Sequence, residues 1–180
     1  MATNSSSPPP PPPAAAAAPH RDLFFPQTNW LRINQIRLKI MASSVNALRE
    51  IIRSITGGRG FDQVLRKMNV VSASPGKVVC ELKVEEEHVN RSSALHGGLI
   101  ATIVDVVSTT ALLNTERATP GVSVDMNITY MNAAKVGEDL IISAEVLKQG
   151  RTLGFATVDL TSKTTGKLIA QGRHTKFLGS

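Results

Sequence analysis

Cysteine is almost absent: the 180 residues hold one, Cys80. No internal disulfide can form, and such usage fits a reducing compartment. Cys80 lies in the alternating run "KVVCELKVE", which reads as a strand carrying a buried, inert thiol. His20, His88, His96 and His174 lack ligand spacing with one another, so no metal site is expected. There is no Gly-x-Ser-x-Gly elbow and no Walker-type glycine loop. That leaves neither the usual serine-hydrolase turn nor a phosphate cradle. No cluster of Lys and Arg is interleaved with aromatics, so nucleic acid is not an expected partner. No apolar run reaches the ~18–20 residues that a membrane-spanning helix needs. The run from Leu95 comes nearest, but Asp105 and several Ser and Thr interrupt it.

What is present starts with charge. The formal net charge is +6, and Arg21, Arg32, Arg37 and Lys39 against Asp22 put half of it in residues 1–40. The rest of the chain is only weakly basic, which is compatible with a small phosphate-bearing ligand. Hydrophobic residues make up 42% of the chain, enough for the core of one domain. Residues 1–20, "MATNSSSPPPPPPAAAAAPH", are low in complexity and are expected to be disordered. Residues 21–40 are basic and apolar with a single acid, as in mitochondrial targeting segments. A dispensable extension from an upstream start fits the same residues. The folded domain is expected over residues 41–180.

Within it, Val45, Leu48, Ile51, Ile52 and Ile55 recur at helical spacing, and Gly57-Gly58 ends that helix. "FDQVLRKM" reads as a second short helical piece. "NVVSAS" and "KVVCELKVEEEHV" read as strands joined by the turn "SPGK". A long apolar helix is expected from about His96 to Asn114. Four more strands follow in "VSVDMNITYM", "DLIISAEVLKQ", "TLGFATVDLTS" and "KLIAQGRHTKFL", with "KQGRT" and "SKTTGK" as hairpin loops. A lone helix apolar on most sides must be wrapped. The expected fold class is therefore α+β, an antiparallel sheet curled around one long central helix.

That helix opens on His96-Gly97-Gly98 and carries Asp105 in its middle. Glycine inside a helix costs roughly 1 kcal/mol relative to alanine. At the first turn, however, backbone N–H groups lack internal partners and the dipole is positive. Gly97 and Gly98 could form an oxyanion hole, or could simply permit tight packing. Asp105 could be a base activated by burial, a carboxylate paired with a buried donor, or a residue on an exposed face. Gly97 and Asp105 are eight residues apart, about 12 Å along a helix at ~1.5 Å per residue. One carboxylate cannot reach a carbonyl seated on the glycine of its own helix. Two helices running antiparallel across a twofold axis would bring each glycine tip to the other chain's aspartate. In "SVDMNITY", Ser123, Asp125, Asn127 and Thr129 alternate with Val124, Met126, Ile128 and Tyr130, which predicts a polar and an apolar strand face.

"LHGGLIATIVD", preceded by "EEEHVN" and followed by "PGVSVDMNITYM", resembles the hotdog-fold acyl-coenzyme A thioesterases. The likeness runs from about Met41 to Ser180. It implies hydrolysis of medium- to long-chain fatty acyl-CoA by direct attack of water. By position, Gly97 would polarise the thioester carbonyl through its N–H, and Asn90 would help hold that oxygen. Asp105 of the partner chain would deprotonate the water that Ser123 helps place, and His96 would lie near the leaving sulfur. The resemblance puts coenzyme A near Tyr130, Met131, Asn132, Ala133, Ala134 and Lys135. It adds Lys148, Gln149, Gly150 and Arg151 of the hairpin, and Arg173, His174 and Lys176 of the last strand. No cofactor is implied beyond the coenzyme A of the substrate. A homodimer or homotetramer, a phosphatidylcholine transfer protein as partner, and residence in cytoplasm, mitochondrion or both are the expectations that follow. A hotdog hydratase or dehydratase, and a non-catalytic acyl-CoA sensor acting through a partner, are the rival readings.

Overall fold

The apolar stripe Leu48, Ile51 and Ile52 is buried on α1 (Val45–Thr56) in the computed structural model, which describes residues 45–179. The expected extension 1–40, and the boundary near residue 41, lie outside the described residues. After α1 a 3-10 turn, Phe61–Leu65, leads to β1 (Asn69–Ser74) and β2 (Lys77–Lys83), which pair antiparallel. The second strand is shorter than expected. Three consecutive glutamates cannot alternate between a core and a solvent face, and the chain turns at Glu86–His88 instead. His88 is buried there: Nδ1 accepts the Glu85 N–H at 3.0 Å, and Nε2 faces the Val64 carbonyl at 3.2 Å.

The central helix, α2, runs Gly97–Leu113, with His96 and Asn114 as its caps. Four strands follow: β3 (Val122–Tyr130), β4 (Asp139–Gln149), β5 (Leu153–Ser162) and β6 (Leu168–Phe177). All six form one antiparallel sheet in the order β1-β2-β4-β5-β6-β3. Leu99, Ile103, Val104 and Val107 of α2 share one core with Leu82, Leu140, Ile142, Val158 and Leu160 of the sheet. Each such side chain contributes about 1.5–3 kcal/mol when fully buried. Cys80 sits in this core, and burial pushes its thiol up to about 12. Among the described residues no helix is long and apolar enough to cross a membrane.

Two local features of the sheet position the residues that matter. At Gly172 of β6, an added Cβ would lie 2.6 Å from Val104 Cγ1. Only glycine lets the middle of α2 come this close to the strand. On β3, the register against β6 shifts between Ser123 and Asp125, so Val124 is an extra, bulged residue. Ser123 pairs with Lys176 and Met126 pairs with His174. The expected clean split into a polar and an apolar face is therefore corrected. The bulge turns Ser123 to the helix side, away from the outward face of Asp125. β3 is also an edge of the sheet, and Val122, Val124, Met126 and Tyr130 on it are exposed.

Candidate active site

The helix tip is built from local bonds. Asn90 Oδ1 accepts the N–H groups of Ser92 (2.9 Å) and Ala94 (3.3 Å), a turn closed by its own side chain. Ser93 sits at φ 53, in the left-handed region, and its N–H bonds to the Asn90 carbonyl at 2.9 Å. The Asn90 Oδ1 is thus occupied, and its Nδ2 amide has no hydrogen-bond partner among the described residues. His96 caps α2: its Nδ1 accepts the Gly98 N–H at 2.9 Å. With Nδ1 accepting, a neutral His96 carries its proton on Nε2, and the residue is exposed. Gly97 is the first helical residue, so its N–H has no intrahelical partner. A Cβ at Gly97 would meet only the Tyr130 ring, at an ordinary 3.5 Å. Packing within the chain therefore does not demand this glycine, whereas it does demand Gly172. The tip thus offers the Gly97 N–H and the Asn90 amide as donors, the kind of group that can hold a developing oxyanion.

The second cluster draws on three elements. Asp105, from the middle of α2, is half exposed at 48% and pairs with a buried donor, Lys176. Its Oδ1 accepts the Lys176 ammonium at 3.2 Å and the hydroxyls of Thr109 and Ser123, each at 3.5 Å. Lys176 comes from β6 and is only 4% exposed; its Nζ also donates to Thr109 Oγ1 at 2.6 Å. Burial lowers the Lys176 pKa, against the opposing pull of Asp105. His174, 1% exposed, stands between two hydroxyls, with Nδ1 2.7 Å from Ser108 Oγ and Nε2 2.9 Å from Ser123 Oγ. Burial, and then the Lys176 ammonium, push its imidazole down to about 4, although Asp105 and Asp125 pull the other way. Asp62, on the turn before β1, is raised by burial and by the Asp105 carboxylate.

Several expected positions sit elsewhere than the sequence implied. His174 and Lys176, expected near coenzyme A, point into the chain and pair with Ser108, Ser123, Thr109 and Asp105. Arg173, the residue between them, is exposed. Tyr130 donates its hydroxyl to the Gly97 carbonyl at 3.3 Å, and Asn132 Nδ2 donates to the Leu168 carbonyl at 2.6 Å. Met131, Ala133 and Lys135 are exposed, whereas Ala134 is buried and its carbonyl accepts the Leu95 N–H at 2.8 Å. These residues stand at the N-terminal end of α2. Lys148, Gln149, Gly150 and Arg151 stand at the other end, where Arg117 donates to the carbonyls of Gly150, Arg151, Leu178 and Gly179. Gln149 Nε2 is buried with no partner among the described residues. Within one chain the two groups are separated by the length of α2, about 25 Å at ~1.5 Å per residue. Ser108, Thr109 and Asp62 were not singled out from sequence. The first two carried a signal, as polar residues three and four positions after Asp105 on an apolar helix. Asp62 carried none.

A sheet wrapped on one helix, with N–H donors at the helix tip and a carboxylate network at its middle, defines a hotdog-fold hydrolase. Residues 92–169 match the thioesterase superfamily. The chain is 65% identical to human acyl-coenzyme A thioesterase 13 over 140 residues, covering 78% of this chain and 100% of that protein. It is similar to the crystal structure of zebrafish thioesterase superfamily member 2, with a TM-score of 0.74 and 65% identity over 76% of this chain and 99% of that one. It is also similar, at 26% identity and a TM-score of 0.62, to a hypothetical thioesterase of Streptococcus pneumoniae TIGR4 crystallised with coenzyme A; the match covers 66% of this chain and 90% of that one. The chain belongs to the thioesterase superfamily, and it is a thioester hydrolase.

Proposed function

We propose that this protein hydrolyses medium- to long-chain fatty acyl-CoA to free fatty acid and coenzyme A, at a site shared between two copies of the chain. One observation carries the shared site. The N–H donor of Gly97 and the carboxylate of Asp105 lie on one helix, about 12 Å apart at ~1.5 Å per residue, too far to act on one carbonyl. A second copy running antiparallel along the unpaired edge of β3 would bring each tip to its mate's carboxylate. It would also cover the exposed apolar residues of that strand. The same arrangement would set the Lys148–Arg151 hairpin of one copy beside the Lys135 segment of the other. The buried, unpartnered Gln149 amide there is a donor kept for a ligand or a neighbouring chain.

In the reaction, Asp105 takes a proton from water as its oxygen bonds to the thioester carbon. Gly97 N–H and Asn90 Nδ2 of the mate hold the oxyanion, and Ser123 helps place the water. The C–S bond then breaks, and His96 Nε2–H faces the departing thiolate. The name of the human relative supports the acyl-CoA substrate class, and the coenzyme A in the pneumococcal structure supports a site of that shape.

Thiol release from a panel of acyl-CoAs by the full chain, with its mass in solution measured alongside, tests the activity. Mixing inactive Asn90→Ala and Asp105→Ala chains tests the sharing. A mixed dimer keeps one intact pocket, so activity should return. Proven subunit exchange without recovery would sink the shared site.

A further inference from the structure

A water whose two protons are both held by acceptors is oriented with its lone pairs toward the carbonyl carbon. Asp105 supplies one. Its Oδ1 is taken by Lys176, with the Thr109 and Ser123 hydroxyl oxygens 3.5 Å away, while Oδ2 has no hydrogen-bond partner among the described residues. Ser123 Oγ can be the second acceptor only if its own proton points elsewhere. We propose that Ser108 and His174 are positioning residues that make Ser123 an acceptor for the attacking water. This rests on the hydrolytic reading above.

The distances allow two directions for the hydroxyls and the imidazole, and the proposed one sends the Ser123 proton to His174 Nε2, 2.9 Å from Oγ, rather than to Asp105 Oδ1, at 3.5 Å. For Nε2 to accept, the single proton of a neutral His174 must sit on Nδ1. Nδ1 is 2.7 Å from Ser108 Oγ, whose own hydroxyl donates to the Asp105 main-chain carbonyl at 3.1 Å. The chain therefore runs from Ser123 O–H to His174 Nε2, from His174 Nδ1–H to Ser108 Oγ, and from Ser108 O–H to the Asp105 carbonyl. Each donor is used once. With His174 1% exposed, solvent cannot substitute for either hydroxyl.

The charged groups facing the imidazole are Asp105 on α2, Asp125 on β3 and Lys176 on β6, with Asp62 facing Asp105. Their sum, with burial, keeps the ring neutral at pH 7, as the relay requires. The opposite tautomer would put Nε2–H on one Ser123 lone pair and turn the Ser123 proton toward Asp105 Oδ1 or the water, so that the hydroxyl competes with the water for the carboxylate or donates to it. A ring held neutral down to about pH 4 is also a poor base for activating Ser123 as a nucleophile.

Nitrogen-15 NMR of the full chain labelled at histidine reads the tautomer, with His174→Phe assigning the signal. A protonated Nδ1 and a bare Nε2 are expected; a protonated Nε2 overturns the relay. In kinetics, His174→Phe and Ser123→Ala should each lower kcat about tenfold, with KM held within about twofold. The double variant should be no slower than Ser123→Ala, because both cut one path. Losses that multiply would mean a structural role and overturn the proposal. If His174→Phe does not fold, Ser108→Ala carries the same test, with Ser108→Thr expected to restore the rate. Asp105→Asn separates the two readings. If that variant is dead while Ser108 and His174 variants keep full kcat, only the relay fails; if it is active, the hydrolytic reading itself fails. Acyl-Ser123 trapped by rapid quench and mass spectrometry would also overturn the relay.

Discussion

The two ends of the site are built on opposite plans. The tip at Asn90–Gly98 works through main chain: a side-chain-closed turn, a histidine cap and N–H groups left over by helix geometry. Its capping and turn bonds span two to four residues, although strand partners at Ala134 and Tyr130 anchor it. The cluster at Asp105 works through side chains from α2, β3 and β6, and the bonds that bring in β6 span 51 to 71 residues. The local bonds of the first need only a short loop. The second exists only once the helix is seated on the sheet in one register. The cluster should therefore be more sensitive than the tip to changes that move the helix against the sheet.

The largest expected effect tests the cluster's chemistry. Asp105→Asn keeps the shape but removes the base, and kcat should fall about a thousandfold, some 4 kcal/mol in barrier. Melting should be recorded too, because the variant leaves the buried Lys176 ammonium without its counter-charge. A loss under tenfold would mean that the water is activated elsewhere. Next is acid sensitivity, which only the cluster should confer. Folding lowers the pKa of His174 from 6.5 to about 4, so between those values the unfolded chain binds the proton more tightly. The stability that comes from keeping the ring neutral is fully present above pH 6.5 and is lost as pH falls toward 4. It amounts to something on the order of 3 kcal/mol. Urea denaturation at pH 7 and pH 4.5 should show that drop in the full chain and a smaller one in His174→Phe. Equal drops would remove His174 as the cause.

The same division governs what the sequence disclosed. The 3.6-residue spacing of Leu48, Ile51 and Ile52, and the apolar run after Gly98, located both helices, since each signal is complete within one element. The tip was legible for that reason: His96, Gly97 and Gly98 are adjacent, and helix ends always leave N–H groups over. The cluster was legible only as Asp105 and Ser123. Alternation along β6 puts His174 and Lys176 on one face and Arg173 on the other, but it does not say which face is inward. That was decided by the approach of Val104 to Gly172 and by the extra residue at Val124, contacts that no local pattern contains.

Two glycines sharpen the comparison at the small end. Gly172→Ala should cost about 1–3 kcal/mol, because the new methyl overlaps Val104 and the helix must shift. Asp105 lies one residue along α2 from Val104, so kcat should fall with stability. Gly97→Ala should change stability least, by under about 0.5 kcal/mol, since its methyl meets Tyr130 at an ordinary 3.5 Å. If Gly97 is a glycine so that a carbonyl can approach its N–H, the same methyl must still lower kcat/KM while the urea midpoint stays put. Full activity in Gly97→Ala would move the oxyanion site off the helix tip, and with it the reason for two chains to meet there.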